Sequence, residues 1–280
     1  MQIKGSVVVV TGGGSGIGEA LCRAASSAGA RHVVVADLDG SNANRVAADI
    51  GGTGAQIDVR DEAAIRSLVE GTELKHGPID LFCSNAGFVT LAGVEESNEI
   101  IDSMWAVHVL SHIYAARAVL PSMIARGEGY LLNTASAAGL LTQIGSMAYS
   151  ITKHAAVALA EWLSVTHHHQ GIGVSVLCPQ AVRTNIGVNS PSNLGPVDGK
   201  SGSGNGAGVA STDGVLEPAD VADLCLQAIA EEKFWVLPHP EVATYHRRKA
   251  DDIDRWLAGM RRFQGQLYGD NPLPGDTIAP

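Results

Sequence analysis

Residues 7–18 run Val7-Val8-Val9-Val10-Thr11-Gly12-Gly13-Gly14-Ser15-Gly16-Ile17-Gly18. Four consecutive β-branched residues suit a strand that is apolar on both faces, as in a parallel sheet covered by helices on each side. The glycine turn follows at once, and Ile17, Leu21, Ala24, Ala25 and Ala28 then recur at helical spacing. Strand, glycine turn and helix in that order are the context in which a glycine triplet binds a dinucleotide. Where side chains are missing, backbone N–H groups can close on a pyrophosphate at the helix N-terminus, and the helix dipole favours its negative charge.

Outward from this turn the alternation continues. Apolar, mostly β-branched runs at 32–36, 56–59, 79–84, 130–134, 174–178 and 234–237 are separated by helix-patterned stretches, the last of which Pro218 can open. The expected fold is α/β: a Rossmann-type doubly wound parallel sheet of about seven strands in a single domain. Residues 1–240 form that domain in this reading. Residues 241–280 form a helical tail, packed on the domain or on a partner subunit, in which Tyr245, Ile253, Trp256, Leu257, Met260, Phe263 and Leu267 share an amphipathic helix. Residues 187–214 hold eight glycines and five serines and interrupt the pattern; they read as an inserted flexible loop, a candidate lid over substrate. Glycine is in excess overall, 33 of 280 residues, and this loop and the 11–18 turn account for most of the surplus.

Nineteen basic against 29 acidic residues give a net charge of −10, which counts against nucleic acid or an anionic membrane as the main partner. Cys22, Cys83, Cys178 and Cys225 contain no CxxC pair and sit in apolar stretches, a pattern unlike a disulfide framework or a zinc knuckle. No metal is expected. His167, His168 and His169 would point about 100° apart on a helix and cannot all face one ion. They read as a solvated helix end, and Arg247-Arg248-Lys249 as a solvated face. The apolar run at the N-terminus is too short for a signal peptide or a spanning helix, and the expected compartment is the cytoplasm.

Asp37 closes the second apolar run, 19 residues after Gly18, where a carboxylate can accept hydrogen bonds from ribose hydroxyls and would repel a 2′-phosphate. Ser15 and Leu38 occupy places where a basic residue could have compensated, so NAD is expected over NADP. Further on, Tyr149 and Lys153 stand at i and i+4, on one helix face and roughly 6 Å apart along the axis. Ser136 follows the run at 130–134, at the strand end where such sheets place their sites. A phenol near a fixed cation can serve as a base, and a hydroxyl can hold the substrate oxygen.

Together, the glycine turn at 11–18, Asp37, Asp58-Val59, Asn85-Ala86-Gly87, Ser136 and Tyr149-Ser150-Ile151-Thr152-Lys153 resemble the short-chain dehydrogenase/reductase family over roughly residues 3–237. The resemblance implies Gly12, Ser15, Gly16 and Ile17 at the pyrophosphate, Asp37 and Leu38 at the ribose, and Asp58 and Val59 beside adenine. It implies Asn85, Ala86 and Gly87 supporting cofactor and sheet, and Pro179, Val182 and Thr184 against nicotinamide. Ser136, Tyr149 and Lys153 would be catalytic, the last two also touching the cofactor. It further implies a strand order 3-2-1-4-5-6-7 and a homodimer or homotetramer. Two positions depart from the family pattern. His108 stands where an Asn helps relay protons from the lysine, which predicts a stronger pH dependence. Gln180 stands where Gly is usual. The expected activity is NAD-dependent interconversion of a secondary alcohol and a ketone. Phe88, Val89, Ala138, Leu140, Ile144 and Ile186 are expected to line a site for a small apolar or alicyclic substrate. Two alternatives are a cofactor-binding regulatory protein without turnover and a non-redox lyase or dehalogenase on the same scaffold.

Overall fold

A computed structural model describes residues 1–191, 194, 212–272 and 275. Seven parallel strands form one sheet: β1 Val7–Thr11, β2 His32–Asp37, β3 Thr53–Gln56, β4 Leu81–Ser84, β5 Gly129–Thr134, β6 Ile172–Leu177 and β7 Trp235–Val236. Their order is β3-β2-β1-β4-β5-β6-β7, the order that the family resemblance implies. Alternation along β1 explains its composition. Val7 and Val9 enter the core on one face of the sheet and Val8 and Val10 the core on the other, all at most 1% exposed. Chain order reverses between β1 and β4, so their carboxyl ends open the crevice in which such sheets bind ligands.

The helices that cover the sheet are α1 Gly16–Ser27, α2 Gly40–Ile50, α3 Glu62–His76, α4 Asn98–Trp105, α5 Ser111–Arg126, α6 Ala138–Leu141, α7 Met147–His167, α8 Pro218–Ala230, α9 Glu241–Asp251 and α10 Ile253–Tyr268. A π-helical turn, Ala106–Leu110, joins α4 to α5 without a break. No helix among the described residues is long and apolar enough to cross a membrane.

Two expectations need correction, and a third falls mostly outside the described residues. The third strand lies at Thr53–Gln56, not at 56–59, because β2 sets its register: Val34 pairs with Thr53 and Asp37 with Gln56. Gly54 permits this, since a Cβ there would stand 2.9 Å from the Asn44 Cα of the overlying α2. Residues 57–59 instead run past the sheet edge toward the crevice. The tail is two helices rather than one. Asp252 adopts an extended backbone and its side chain caps the Arg255 N–H of α10, so Ile253 and Leu257 turn outward while Trp256 faces inward. Finally, most of the loop expected as a lid at 187–214 lies outside the described residues.

Candidate active site

The crevice opens into a cleft of about 1060 Å³ that extends from the glycine turn to α9 and α10. At the first end the backbone requires glycine. Gly12 has φ +64°, and a Cβ on it would lie 2.9 Å from the Ala86 Cα; a Cβ on Gly14 would lie 2.9 Å from Asp37 Oδ2. Gly16 does not line the cleft, but at φ +55° it lets the turn pass beside Thr184, whose Cγ2 would be 3.1 Å from an added Cβ. Gly18 has no room for any side chain, since a Cβ would overlap the Gly12 carbonyl. Ser15 caps α1 without using its side chain, so the first amides of that helix are not engaged by it.

Asp37, at the end of β2, accepts the Gly14 N–H on Oδ2 at 2.8 Å and the Asp39 N–H on Oδ1 at 3.0 Å. Each oxygen keeps a lone pair for a ribose hydroxyl. Gly12, Ser15, Ile17, Leu38, Asp58, Val59, Asn85, Ala86 and Gly87 line the same end. Arg60 also lines it, but its guanidinium grips Asp58, with Nη2 2.6 Å from Oδ2, and holds that carboxyl below the usual carboxylate range. Arg45 donates to Glu19 Oε2 at 2.9 Å and to the Gly14 carbonyl at 3.0 Å. Asn85 ties three strand ends together. Its Nδ2 donates to the Thr11 carbonyl at 3.2 Å, its Oδ1 accepts from Thr134 Oγ1 at 3.1 Å, and its N–H donates to Thr11 Oγ1 at 3.0 Å. This shape fits a dinucleotide: a side-chain-free turn at a helix N-terminus, an oriented carboxylate one strand away, and an apolar floor from Ile17 and Val59.

In the middle of the cleft, Ser136, Tyr149 and Lys153 converge from the end of β5 and the first turns of α7. Lys153 Nζ donates to the Thr134 carbonyl at 2.9 Å and lies 5.6 Å from the Tyr149 ring centroid. Burial brings the Lys153 ammonium down to about 8, so it is charged at neutral pH. Burial also pushes the Tyr149 phenol above its ordinary range, and a hydrogen bond with the Ser136 hydroxyl pulls it back. Ser136 Oγ accepts the Ala138 N–H at 3.1 Å and donates to the Pro179 carbonyl at 3.4 Å. Pro179, Val182 and Thr184 continue this wall.

His108 occupies the π-helical turn, fully buried. Its Nε2 accepts the Phe88 N–H at 3.2 Å, so the ring proton is on Nδ1, which faces Thr152 Oγ1 at 2.9 Å. The Thr152 hydroxyl donates onward to the Ala148 carbonyl at 2.9 Å. Both nitrogens are therefore used. Burial, with the Lys153 charge nearby, drives the imidazole well below the usual histidine range. With both nitrogens engaged and burial opposing its charged form, the ring is held as a strut between the Phe88 amide and Thr152.

Four of the expected lining residues, Phe88, Val89, Ala138 and Ile186, face the cleft. Leu140 and Ile144 do not line it: both are buried, Leu140 within the main hydrophobic core. Gln180 departs from glycine to some effect. Its Nε2 donates to Asp213 Oδ2 at 2.8 Å, and Asp213 Oδ1 accepts from Tyr245 Oη at 3.0 Å, which fastens α9 to the rim. The far wall, Tyr245, Arg248, Trp256, Met260 and Phe263, had a signal in the helical spacing of 256, 260 and 263, which revealed a face but not its neighbour. Of Arg247-Arg248-Lys249, the two arginines are exposed as expected and Lys249 departs from the solvated face. Lys249 Nζ donates to the Leu140 carbonyl at 2.7 Å, and Arg248 lines the cleft, as successive residues 100° apart must diverge.

Known proteins bear on this site. The short chain dehydrogenase family matches residues 6–194. The chain is 32% identical over 269 residues to 1-deoxy-11-beta-hydroxypentalenate dehydrogenase of Streptomyces exfoliatus, covering 92% of each chain. It is 31% identical over 192 residues to D-threitol dehydrogenase of Mycolicibacterium smegmatis, covering 66% of this chain and 74% of that one. A short chain dehydrogenase/reductase of Burkholderia phymatum, solved in complex with NAD, superposes with a TM-score of 0.79 at 29% identity, covering 91% of this chain and 96% of that one.

Proposed function

The chain belongs to the short chain dehydrogenase family, and on that premise we propose that it interconverts a secondary alcohol and a ketone, with NAD as cofactor and Ser136, Tyr149 and Lys153 as the reacting set. The observation that carries this is the meeting of a charged Lys153, a Ser136 hydroxyl and the Tyr149 phenol at the strand-end crevice beside the glycine turn. The nicotinamide ring, when bound, accepts hydride at C4 and is positively charged while oxidised.

In the oxidative direction Tyr149 Oη takes the proton of the substrate hydroxyl, and Ser136 Oγ donates a hydrogen bond to the same oxygen as its bond to carbon gains double-bond character. Burial works against a phenolate, so a compensating charge is needed. A unit charge about 5 Å away at an effective dielectric near 20 contributes ~3 kcal/mol, or about two pKa units. Lys153 is held for that role by the Thr134 carbonyl. NAD is favoured over NADP by the orientation of Asp37 toward the ribose and by the engagement of Arg45 and Arg60 with Glu19 and Asp58. Gly12, Ser15, Ile17, Leu38, Val59, Asn85, Ala86, Gly87, Pro179, Val182 and Thr184 supply the remaining cofactor contacts, with Gly16 shaping the turn.

The apolar wall of Phe88, Ile186, Trp256, Met260 and Phe263 supports an apolar or alicyclic alcohol. We further propose a cytoplasmic location and assembly as a homodimer or homotetramer. Ile151, Trp162 and Val165, exposed on one face of α7, support self-association. Oxidation of apolar cyclic secondary alcohols with NAD, followed by the absorbance of reduced nicotinamide, tests the proposal. Turnover supports it. Cofactor binding with no reduction across the panel contradicts it and favours the regulatory alternative, and consumption of substrate without net reduction favours a lyase.

A further inference from the structure

Among the described residues, the arginine and lysine side chains that line the cleft are Arg60, Lys153 and Arg248. Arg60 is committed to Asp58 and Lys153 to the Thr134 carbonyl. Arg248, on α9, has neither an ion pair nor a side-chain hydrogen bond among the described residues. The nearby acid, Asp213, is already held on one oxygen by Gln180 and on the other by Tyr245. Arg248 stands one helical turn after Tyr245 on α9, and both line the cleft. The Tyr245 ring in turn lies 6.4 Å from that of Trp256, centroid to centroid. Trp256, Met260 and Phe263 stand at i, i+4 and i+7 on α10 and line the same end. Arg248 is thus an exposed cation at the rim of a chamber whose far wall is largely apolar.

A neutral hydrocarbon alcohol would make no use of that cation. A carboxylate would, because the planar fork of Arg matches two carboxylate oxygens at once. The pairing has to be local, since the chain's net charge of −10 repels anions at long range. A phosphate dianion fits less well, since its second charge would face Asp213 and its hydration shell would have to yield to Trp256 and Phe263. We propose that Arg248 is a specificity-determining residue that reads a carboxylate on an apolar secondary alcohol, so that the substrate class is a hydrophobic hydroxy acid and its keto acid. This rests on the alcohol–ketone reading of the same cleft.

The test uses the full chain saturated with NAD and paired probes: hydroxycyclohexane and hydroxydecalin carboxylates, each with its carboxamide. Calorimetry gives affinity, and reduced nicotinamide gives kcat/KM. At least one carboxylate is expected to exceed its carboxamide about tenfold in both, with the ratio shrinking as salt rises, as for a partly exposed ion pair. In Arg248→Gln the ratio falls to near one, and Arg248→Lys restores part of it. Equal ratios in the wild type, no binding of any probe, or a ratio unaltered in Arg248→Gln overturns the inference. A carboxylate preference that is lost in Arg248→Gln, with no nicotinamide reduced by any probe, supports the role of Arg248 while contradicting the alcohol–ketone reaction.

Discussion

The two ends of the cleft are built differently. At the glycine-turn end, strand termini and backbone groups do the work, and the polar groups are cross-linked before any ligand arrives: Asp37 to the Gly14 and Asp39 amides, Asn85 to Thr11 and Thr134, and Arg60 to Asp58. At the other end the wall is side chains on α9 and α10, tied to the domain by the Gln180–Asp213–Tyr245 bridge and the Lys249–Leu140 bond, and among the described residues Arg248 has no ion pair. The first end is preorganised for a ligand of fixed shape. The second owes its shape to side chains late in the chain, which can be exchanged without disturbing the strand ends. Ser136, Tyr149 and Lys153 sit at the boundary, so the proposed reaction predicts that chemistry and substrate choice are separable.

The largest expected effect tests that separation. Tyr149→Phe removes the proton acceptor and leaves the glycine-turn end intact, so kcat falls ~10³-fold while NADH affinity, read by fluorescence titration, changes by no more than a few-fold. Parallel loss of both would break the distinction between the two ends. Next, Asp37→Ala removes the ribose acceptor and the partner of two backbone amides, and NADH affinity is expected to fall ~10–100-fold, with no comparable loss for NADPH. Equal loss for both cofactors would mean that Asp37 shapes the turn without selecting the ribose.

How much of this was legible in the sequence follows the same division. The turn at 11–18 declares itself because its geometry excludes side chains at Gly12, Gly14 and Gly18, and Tyr149 and Lys153 declare themselves because a helix brings i and i+4 together. Where side chains from distant segments meet, composition carries less. Thr53–Gln56 is a weakly apolar edge strand whose position comes from pairing with β2. The α9–α10 break depends on the cap at Asp252. The period of Trp256, Met260 and Phe263 marks an apolar face without naming the cleft it lines, so nothing in the sequence set the exposed Arg248 beside it. The π-helical turn that seats His108 arises from one extra residue in a helix, and no residue type in Ala106–Leu110 announces it.

A smaller effect concerns the buried histidines between the two ends. Burial holds His112 at about 3 and His108 likewise well below the usual 6.5. Both are neutral in the folded protein, whereas the unfolded chain takes up protons below about pH 6.5. Their contribution to stability is therefore complete above that pH and is lost as pH falls toward the folded values, by up to ~1.4 kcal/mol per pH unit for each ring. Urea unfolding from about pH 7 to pH 4 should show a shallower loss in His112→Gln than in the wild type; identical slopes would mean that the ring is not desolvated. His108→Asn is expected to leave the shape of the pH–rate profile unaltered, because the ring it replaces does not titrate in that range.

The most direct test of the central claim is a single-turnover reaction, with enzyme in excess over NAD and an alicyclic secondary alcohol deuterated at the carbinol carbon, followed by mass spectrometry of the recovered cofactor. Hydride transfer across the boundary at Tyr149 predicts reduced nicotinamide carrying one deuterium, formed by the wild type and not by Tyr149→Phe. Reduced cofactor without the label, or cofactor bound and recovered oxidised across substrates that the cleft binds, would contradict it.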